Sequence, residues 1–145
     1  MEYIKIMILS MIPITELRGA IPIGIALDLN PIGVYVSSVI GSTLVSIPLI
    51  LTFRHVIHFL REIKTFEGLV KKVDRKIDSG MKRLKNISIV GIILFVGVPL
   101  PTTGTWTASA IASILKMRLK NALLGVLIGN IMSGIIVSAI SLHLI

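Results

Sequence analysis

Glu16 and Arg18 are the two residues whose types and spacing could do chemistry in this chain. They lie in Ser10–Ala26, SMIPITELRGAIPIGIA, one of the most apolar stretches of the 145 residues. A carboxylate and a guanidinium there could engage a proton, an ion or a charged headgroup. Charges at membrane depth are costly, and irregular backbone survives there only beside protein or a water-filled cavity. Pro13 and Pro22 bracket the pair, Gly19 follows it, and Thr15 just before it adds a hydroxyl to the candidate site. Proline removes a backbone donor and glycine tolerates unusual conformations, so the segment reads as a broken helix. Two readings compete: part of a substrate or ion site, or an internal ion pair joining two helices. On a continuous helix, side chains two residues apart point in different directions; only a broken backbone brings both to one cavity.

A second set follows Val98, in PLPTTGTWT at Pro99–Thr107. Thr102, Thr103, Thr105 and Thr107 bring hydroxyls, Trp106 brings an indole, and Pro99, Pro101 and Gly104 free the backbone. The N-termini of half-length helices offer unpaired N–H groups and partial positive charge, a ready anion site. Arg18 adds a planar cation suited to phosphate or carboxylate. Glu16, the only acid in the apolar segments, is the candidate for proton or sodium coupling. The threonines also read as helix caps and interhelical hydrogen bonds, and Trp106 as a packing or interfacial residue. His55 and His58 have no evident third ligand and read as structural or interfacial, so no metal or other cofactor is expected. Without cysteine there is no thiol chemistry. No Gly-rich phosphate loop, paired carboxylates or Ser/His/Asp set is present either, and an enzyme is not expected.

The elements that must position these groups are apolar. Hydrophobic residues make up 54% and mean hydropathy is +0.94, in runs that leave no polar face, as in membrane proteins. The first ten residues lack a cationic lead and a small-residue cleavage site, so they read as mature protein. Ile32–Phe53 is 22 residues without charge and Asn121–Ile145 is 25 largely apolar residues, each long enough to cross. Tyr3–Ile12, Ala20–Leu27, Ile87–Val98 and Trp106–Leu115 are too short; ten helical residues reach about 15 Å against a hydrocarbon core of about 30 Å. Arg54–Asn86 holds ten Lys/Arg and four acids, with apolar residues at Val56, Leu60, Ile63, Phe66, Val70, Val73, Ile77, Met81 and Leu84. That spacing predicts an amphipathic helix on an anionic membrane surface, broken near Gly68 or Gly80. The net charge of +8 is concentrated there, and no nucleic-acid partner is expected.

The order half-helix, Pro/Gly break, half-helix, turn, full helix occurs twice. At an offset of 86, Pro13, Ile25, Ala26 and Leu29 match Pro99, Ile111, Ala112 and Leu115; at 88, Ile40-Gly41 matches Ile128-Gly129. If the broken segments spanned, Lys116–Lys120 and the central basic region would fall on opposite sides. If they are re-entrant hairpins, both share a side carrying 13 of the 15 Lys/Arg, as the positive-inside rule prefers. The predicted fold is an all-α integral membrane protein, a single membrane domain. It is an inverted repeat of a re-entrant hairpin plus one transmembrane helix (1–53 and 87–145), joined by a basic cytoplasmic linker (54–86).

ELRGAIPIGI at Glu16–Ile25 and PLPTTGTWTAS at Pro99–Ser109 resemble the small multidrug export protein family of prokaryotes, over nearly the whole chain. That family is in turn similar to the DedA/VTT membrane proteins, whose facing re-entrant hairpins are linked to lipid transport, including polyprenyl phosphate carriers. By position, the resemblance implies motif roles for Pro13, Glu16, Arg18, Gly19 and Pro22, and for Pro99, Pro101, Gly104, Trp106 and Thr107. Thr102 and Thr105 stand where the family pattern PLPGTGAW has Gly and Ala. The expected protein is a small secondary transporter in a prokaryotic plasma membrane, surrounded by lipid, with proton or sodium as coupling ion and a homodimer as possible unit. Its expected substrate is an anionic amphiphile such as a lipid phosphate. Export of hydrophobic cations and a non-transporting scaffold are the alternatives.

Overall fold

The computed structural model describes residues 1–65, 67–101 and 103–144, and for 70, 73, 74 and 77–88 the backbone alone. The described residues form α1 (Glu2–Met11), α2 (Glu16–Ala26), α3 (Pro31–Glu62), α4 (Glu67–Gly97), α5 (Thr105–Ile114) and α6 (Leu119–Leu144), with no strand among them.

Local chemistry sets most boundaries. α1 stops because Pro13 follows: Ile12 takes the extended ψ of 134° that a residue before proline prefers. Glu16 opens α2 with a left-handed φ of 44°, costing a non-glycine residue about 1–2 kcal/mol. α3 starts at Pro31, behind Asn30, whose side chain accepts from the Ile32 N–H at 3.0 Å. α2 and α5 end alike, on left-handed Asp28 (φ 57°) and Lys116 (φ 54°). Past each helix, one N–H reaches back to form a wide closing bond: Leu29 to the Gly24 carbonyl at 3.2 Å, Met117 to that of Ala112 at 3.0 Å. Asp28 and Lys116 are 88 positions apart, as are the first residues of α3 and α6.

Contacts give the course of the chain. The Tyr3 ring lies at Gly33, Met7 and Ser10 lie at Gly41, and Ser42 Oγ donates to the Ser10 carbonyl at 3.0 Å. α1 therefore runs beside α3 in the same direction. Gly24 packs on Val34 and Ile6, so α2 has folded back. Likewise Ile92 lies at Gly125 and Val96 at Gly129, placing α4 beside α6. The two halves meet where Tyr35 packs on Gly134 and Asn130 Nδ2 donates to Thr43 Oγ1 at 3.2 Å, so α3 and α6 run in opposite directions. There are two cores, one around Leu17, Ile21 and Val34 with Val137 of α6, the other around Val96 and Val126 with Ile50 of α3, so each long helix contributes to both.

The interior is unusually polar and the exterior unusually apolar. Ser10, Ser38, Ser42, Ser46, Ser109, Asn130 and Ser133 are buried, while Ile32, Leu44, Leu51, Leu124 and Ile135 are exposed. Water would favour the reverse; lipid favours close helix contact through small and hydroxyl residues. α3 and α6 are long and apolar enough to cross a bilayer.

The basic stretch is shared by two helices. α3 continues through Arg54 to Glu62, and α4 runs without interruption from Glu67 through 86 to Gly97; the helix is broken at 63–65, with Gly68 and Gly80 inside α4. The reason is local: Arg, Lys and Glu are strong helix formers, so a change from apolar to charged does not end a helix. α4 restarts at Glu67, an acid suited to a helix N-terminus. Lys71 Nζ, 2.7 Å away, holds the Glu67 carboxyl below the usual carboxylate range. Of the expected apolar stripe, Phe66 and the side chains of Val70, Val73, Ile77, Met81 and Leu84 lie outside the described residues. Val56 is exposed, and Leu60 and Ile63 are half-buried.

Candidate functional site

The two breaks, at 12–15 and 98–104, meet. Between them lies a cleft of about 660 Å³ lined by Pro13, Ile14, Thr15, Glu16, Arg18, Gly19, Pro101, Gly104, Trp106 and Thr107. Nine of the residues singled out in the sequence thus share one cavity, contributed by segments some ninety positions apart. Pro22 and Pro99 fall in a neighbouring apolar groove of about 420 Å³, which Arg18 also lines. Thr102 lies outside the described residues.

Glu16 and Arg18 reach across this meeting point to the second break. The Glu16 carboxylate sits on the N-terminus of α5: Oε1 accepts from the Trp106 N–H at 3.3 Å. The anion that a helix N-terminus invites is therefore supplied by the protein itself. Gly104 is what lets it approach. Its φ of −156° would suit any residue, but an added Cβ would lie 2.5 Å from the Glu16 carboxyl carbon. Arg18 serves the other end of the same break. Nη2 donates to the carbonyls of Val96 (3.1 Å) and Val98 (3.2 Å), Nη1 to that of Leu100, and Nε to Ser133 Oγ at 3.5 Å. A break at membrane depth strands carbonyls and N–H groups, each costing several kcal/mol if unpaired. Arg18 takes up carbonyls at the C-terminal end of α4, and Glu16 an N–H at the start of α5. No ion pair within 4.0 Å joins the two side chains to one another among the described residues.

Trp106 returns the arrangement. Its Nε1–H donates to the Met11 carbonyl at 3.1 Å, at the C-terminal end of α1. Each tip thus supplies a donor to the helix end of the other. Trp106 stands 88 positions after Arg18, the same offset as the two left-handed caps.

The remaining threonines divide. Thr15 and Thr107 line the cleft. Thr103 turns into its own loop, Oγ1 donating to the Val98 carbonyl at 2.8 Å and accepting from the Leu100 N–H at 3.3 Å. Thr105 is buried and donates to Asn130 Oδ1 at 3.2 Å, which continues to Thr43. This Thr105–Asn130–Thr43 chain joins α5, α6 and α3, and Ser133 supports Arg18. Asn130, Thr43 and Ser133 escape a reading for charges and helix breaks; the available signal was a lone amide deep in the last apolar run, beside Gly129. His58 pairs with Glu62 (Nδ1 to Oε1, 3.5 Å), and the described residues contain no cluster of three metal-ligating side chains.

An all-helical bundle with an apolar exterior, a polar interior and a cleft between two helix breaks is an integral membrane protein. The chain belongs to the family described as "putative small multi-drug export protein", which matches residues 16–136, from Glu16 at the start of α2 through α3, the second break and most of α6. No curated protein and no solved structure matches it.

Proposed function

We propose that the chain is a small secondary transporter of an anionic amphiphile, such as a phosphorylated lipid, with its ion-coupled site at the two breaks. The observation that carries this reading is the position of Arg18. It lines both the polar cleft and the apolar groove formed with Pro22, Pro99, Val137 and Ile140. A headgroup in the cleft and a tail in the groove would meet at the guanidinium. Among the described residues four of its five N–H donors bind the protein, and the guanidinium brings its positive charge to a headgroup. Glu16 is the coupling group. In this reading α1–α2 and α4–α5 enter the membrane as facing re-entrant hairpins of an inverted repeat. The fold-back of α2, the course of α5 from Asn130 toward Ile50 alongside α3, the opposed α3 and α6 and the recurring offset of 88 support it. The basic ends face the cytoplasm of a prokaryotic cell. Two spans and two hairpins give little cavity wall, so a homodimer is the working unit.

A second reading is export of hydrophobic cations, in line with a family description that names multi-drug export. It is favoured by Arg18 being largely committed to carbonyls while Glu16 brings a carboxylate to the cleft. Flux into proteoliposomes under a pH or sodium gradient separates the two. The first reading expects a fluorescent phospholipid-like anion to move and a lipophilic cation not to, with Glu16→Gln abolishing gradient-driven flux but not insertion. Flux of the cation alone would establish the second. Folding loss in Glu16→Gln and Arg18→Leu alike, repaired in the double variant with flux unaltered, would make the pair a structural bridge.

A further inference from the structure

Among the described residues two ionisable side chains line the cleft, Glu16 and Arg18. Their charges cancel, so the cleft is formally neutral while Glu16 is ionised. An anion that joined them with no other change would leave one negative charge at membrane depth. It would also meet a carboxylate of its own sign in the same cavity, where a low dielectric leaves the repulsion poorly screened.

The carboxylate does not stand aside for such an anion. Glu16 is only 8% exposed, and its Oε1 accepts from the Trp106 N–H at 3.3 Å. Its carboxyl fills the space that a Cβ at Gly104 would need. Trp106 itself lines the cleft, so an N–H open to a headgroup beside Arg18 is already bound to the protein's own anion. Arg18 is the charged group nearest in the chain. Of the other elements around Glu16, α5, the break at 98–104 and the last part of α4 (87–97) hold no ionisable residue. α1 holds Glu2, Tyr3 and Lys5 at its far end, and α6 holds Lys120 and His143 near its two ends. α3 brings Tyr35, which donates to the Ile131 carbonyl.

We propose that Glu16 is a competitor built into the anion site, so that each anion enters together with a proton taken up by the Glu16 carboxylate. The inference rests on the anion reading of the cleft and gives its coupling a sign. Once the carboxyl is neutral, its hold on the Trp106 N–H weakens and Arg18 is the one remaining charge in the cleft. A singly charged anion then restores formal neutrality. Neither the empty nor the loaded cleft carries a net charge, which the bilayer would penalise. Under the cation reading the sign is reversed, because proton and substrate would compete for Glu16.

Trp106 is the only tryptophan of the chain, so its fluorescence reports on the cleft directly. The full chain, in a neutral maltoside detergent, is titrated with short-chain phosphatidylglycerol. The pH is varied from about 4.5 to 8.5, over which carboxylates titrate and the phosphodiester stays singly charged. Affinity is expected to fall about tenfold or more as pH rises across that range. Calorimetry in two buffers of different ionisation enthalpy should show proton uptake approaching one proton per anion bound. Glu16→Gln, neutral at every pH, should keep the parent's low-pH affinity throughout and take up no proton. Affinity independent of pH in the parent, without proton uptake, would overturn the competition and leave the anion site standing. So would Glu16→Gln binding more weakly than the parent at high pH. The proton count needs no variant and decides even if Glu16→Gln fails to fold. No saturable binding by either measurement would remove the anion site itself, and this inference with it.

Discussion

The Glu16 carboxylate meets N–H groups that the start of α5 would otherwise turn toward apolar surroundings, and Arg18 does the matching service for carbonyls at the end of α4. Both are stabilising because hydrogen bonds to charged groups contribute about 1.5–3 kcal/mol, and more is lost when a buried partner is stranded. Gly104 is part of the same device, since only the absence of a Cβ admits the carboxylate. Gly104→Ala should therefore destabilise the protein by about 1–3 kcal/mol through overpacking. In a Glu16→Ala background the space is open and the added cost should shrink, giving a coupling of about 1 kcal/mol or more. Unfolding midpoints of the two single variants and the double variant in detergent measure it. Equal costs in both backgrounds would separate Gly104 from Glu16.

At the scale of helices, each half contains a crossing close enough to bring a backbone carbonyl onto a glycine. α1 reaches α3 at Gly41, where Ser10 and the Met7 carbonyl fill the Cβ position; α4 reaches α6 at Gly129, against Val96 Cβ at 2.6 Å and the Ile93 carbonyl at 3.1 Å. Backbone carbonyls cannot swing aside as a flexible side chain can. Gly129→Ala is expected to cost about 1–3 kcal/mol. Gly91→Ala, with open space around it, should be neutral or gain up to about 1 kcal/mol from helix propensity. Thermal unfolding of both variants checks the contrast, and similar midpoints would mean that the crossing is not close packed.

For the whole molecule, the two turns that follow α2 and α5 carry the question of sidedness. α3 and α6 run in opposite directions, so the turns that precede them lie at opposite ends of the bundle. With no native cysteine, single cysteines at Asn30 and Asn121 can be labelled from either face of oriented vesicles. Labelling from opposite faces is expected, with Asn121 on the cytoplasmic side beside the basic ends. Labelling of both from one face would rule out the facing-hairpin arrangement.

The sequence by itself determined the breaks at Pro13 and after Val98, the half-length α1, α2 and α5, and the two long apolar helices. These depend on local chemistry: Pro13 constrains Ile12, Asn30 and Pro31 start α3, and uncharged runs set length. It also singled out the residues that share the cleft, because charges, prolines and glycines in apolar surroundings are visible one at a time. The start of α4 was not determined, its last third reading as a separate piece at Ile87–Val98. The end of α3 was hidden too, since a helix continues through a change from apolar to charged residues unless something breaks it. Only the tertiary structure decided what Glu16 and Arg18 touch. Their partners are backbone groups and Ser133 from 78 to 115 positions away, and backbone groups carry no sequence signature. The same holds for Asn130, an ordinary polar residue in the sequence until α3 and α5 close around it and leave its amide no water to bind.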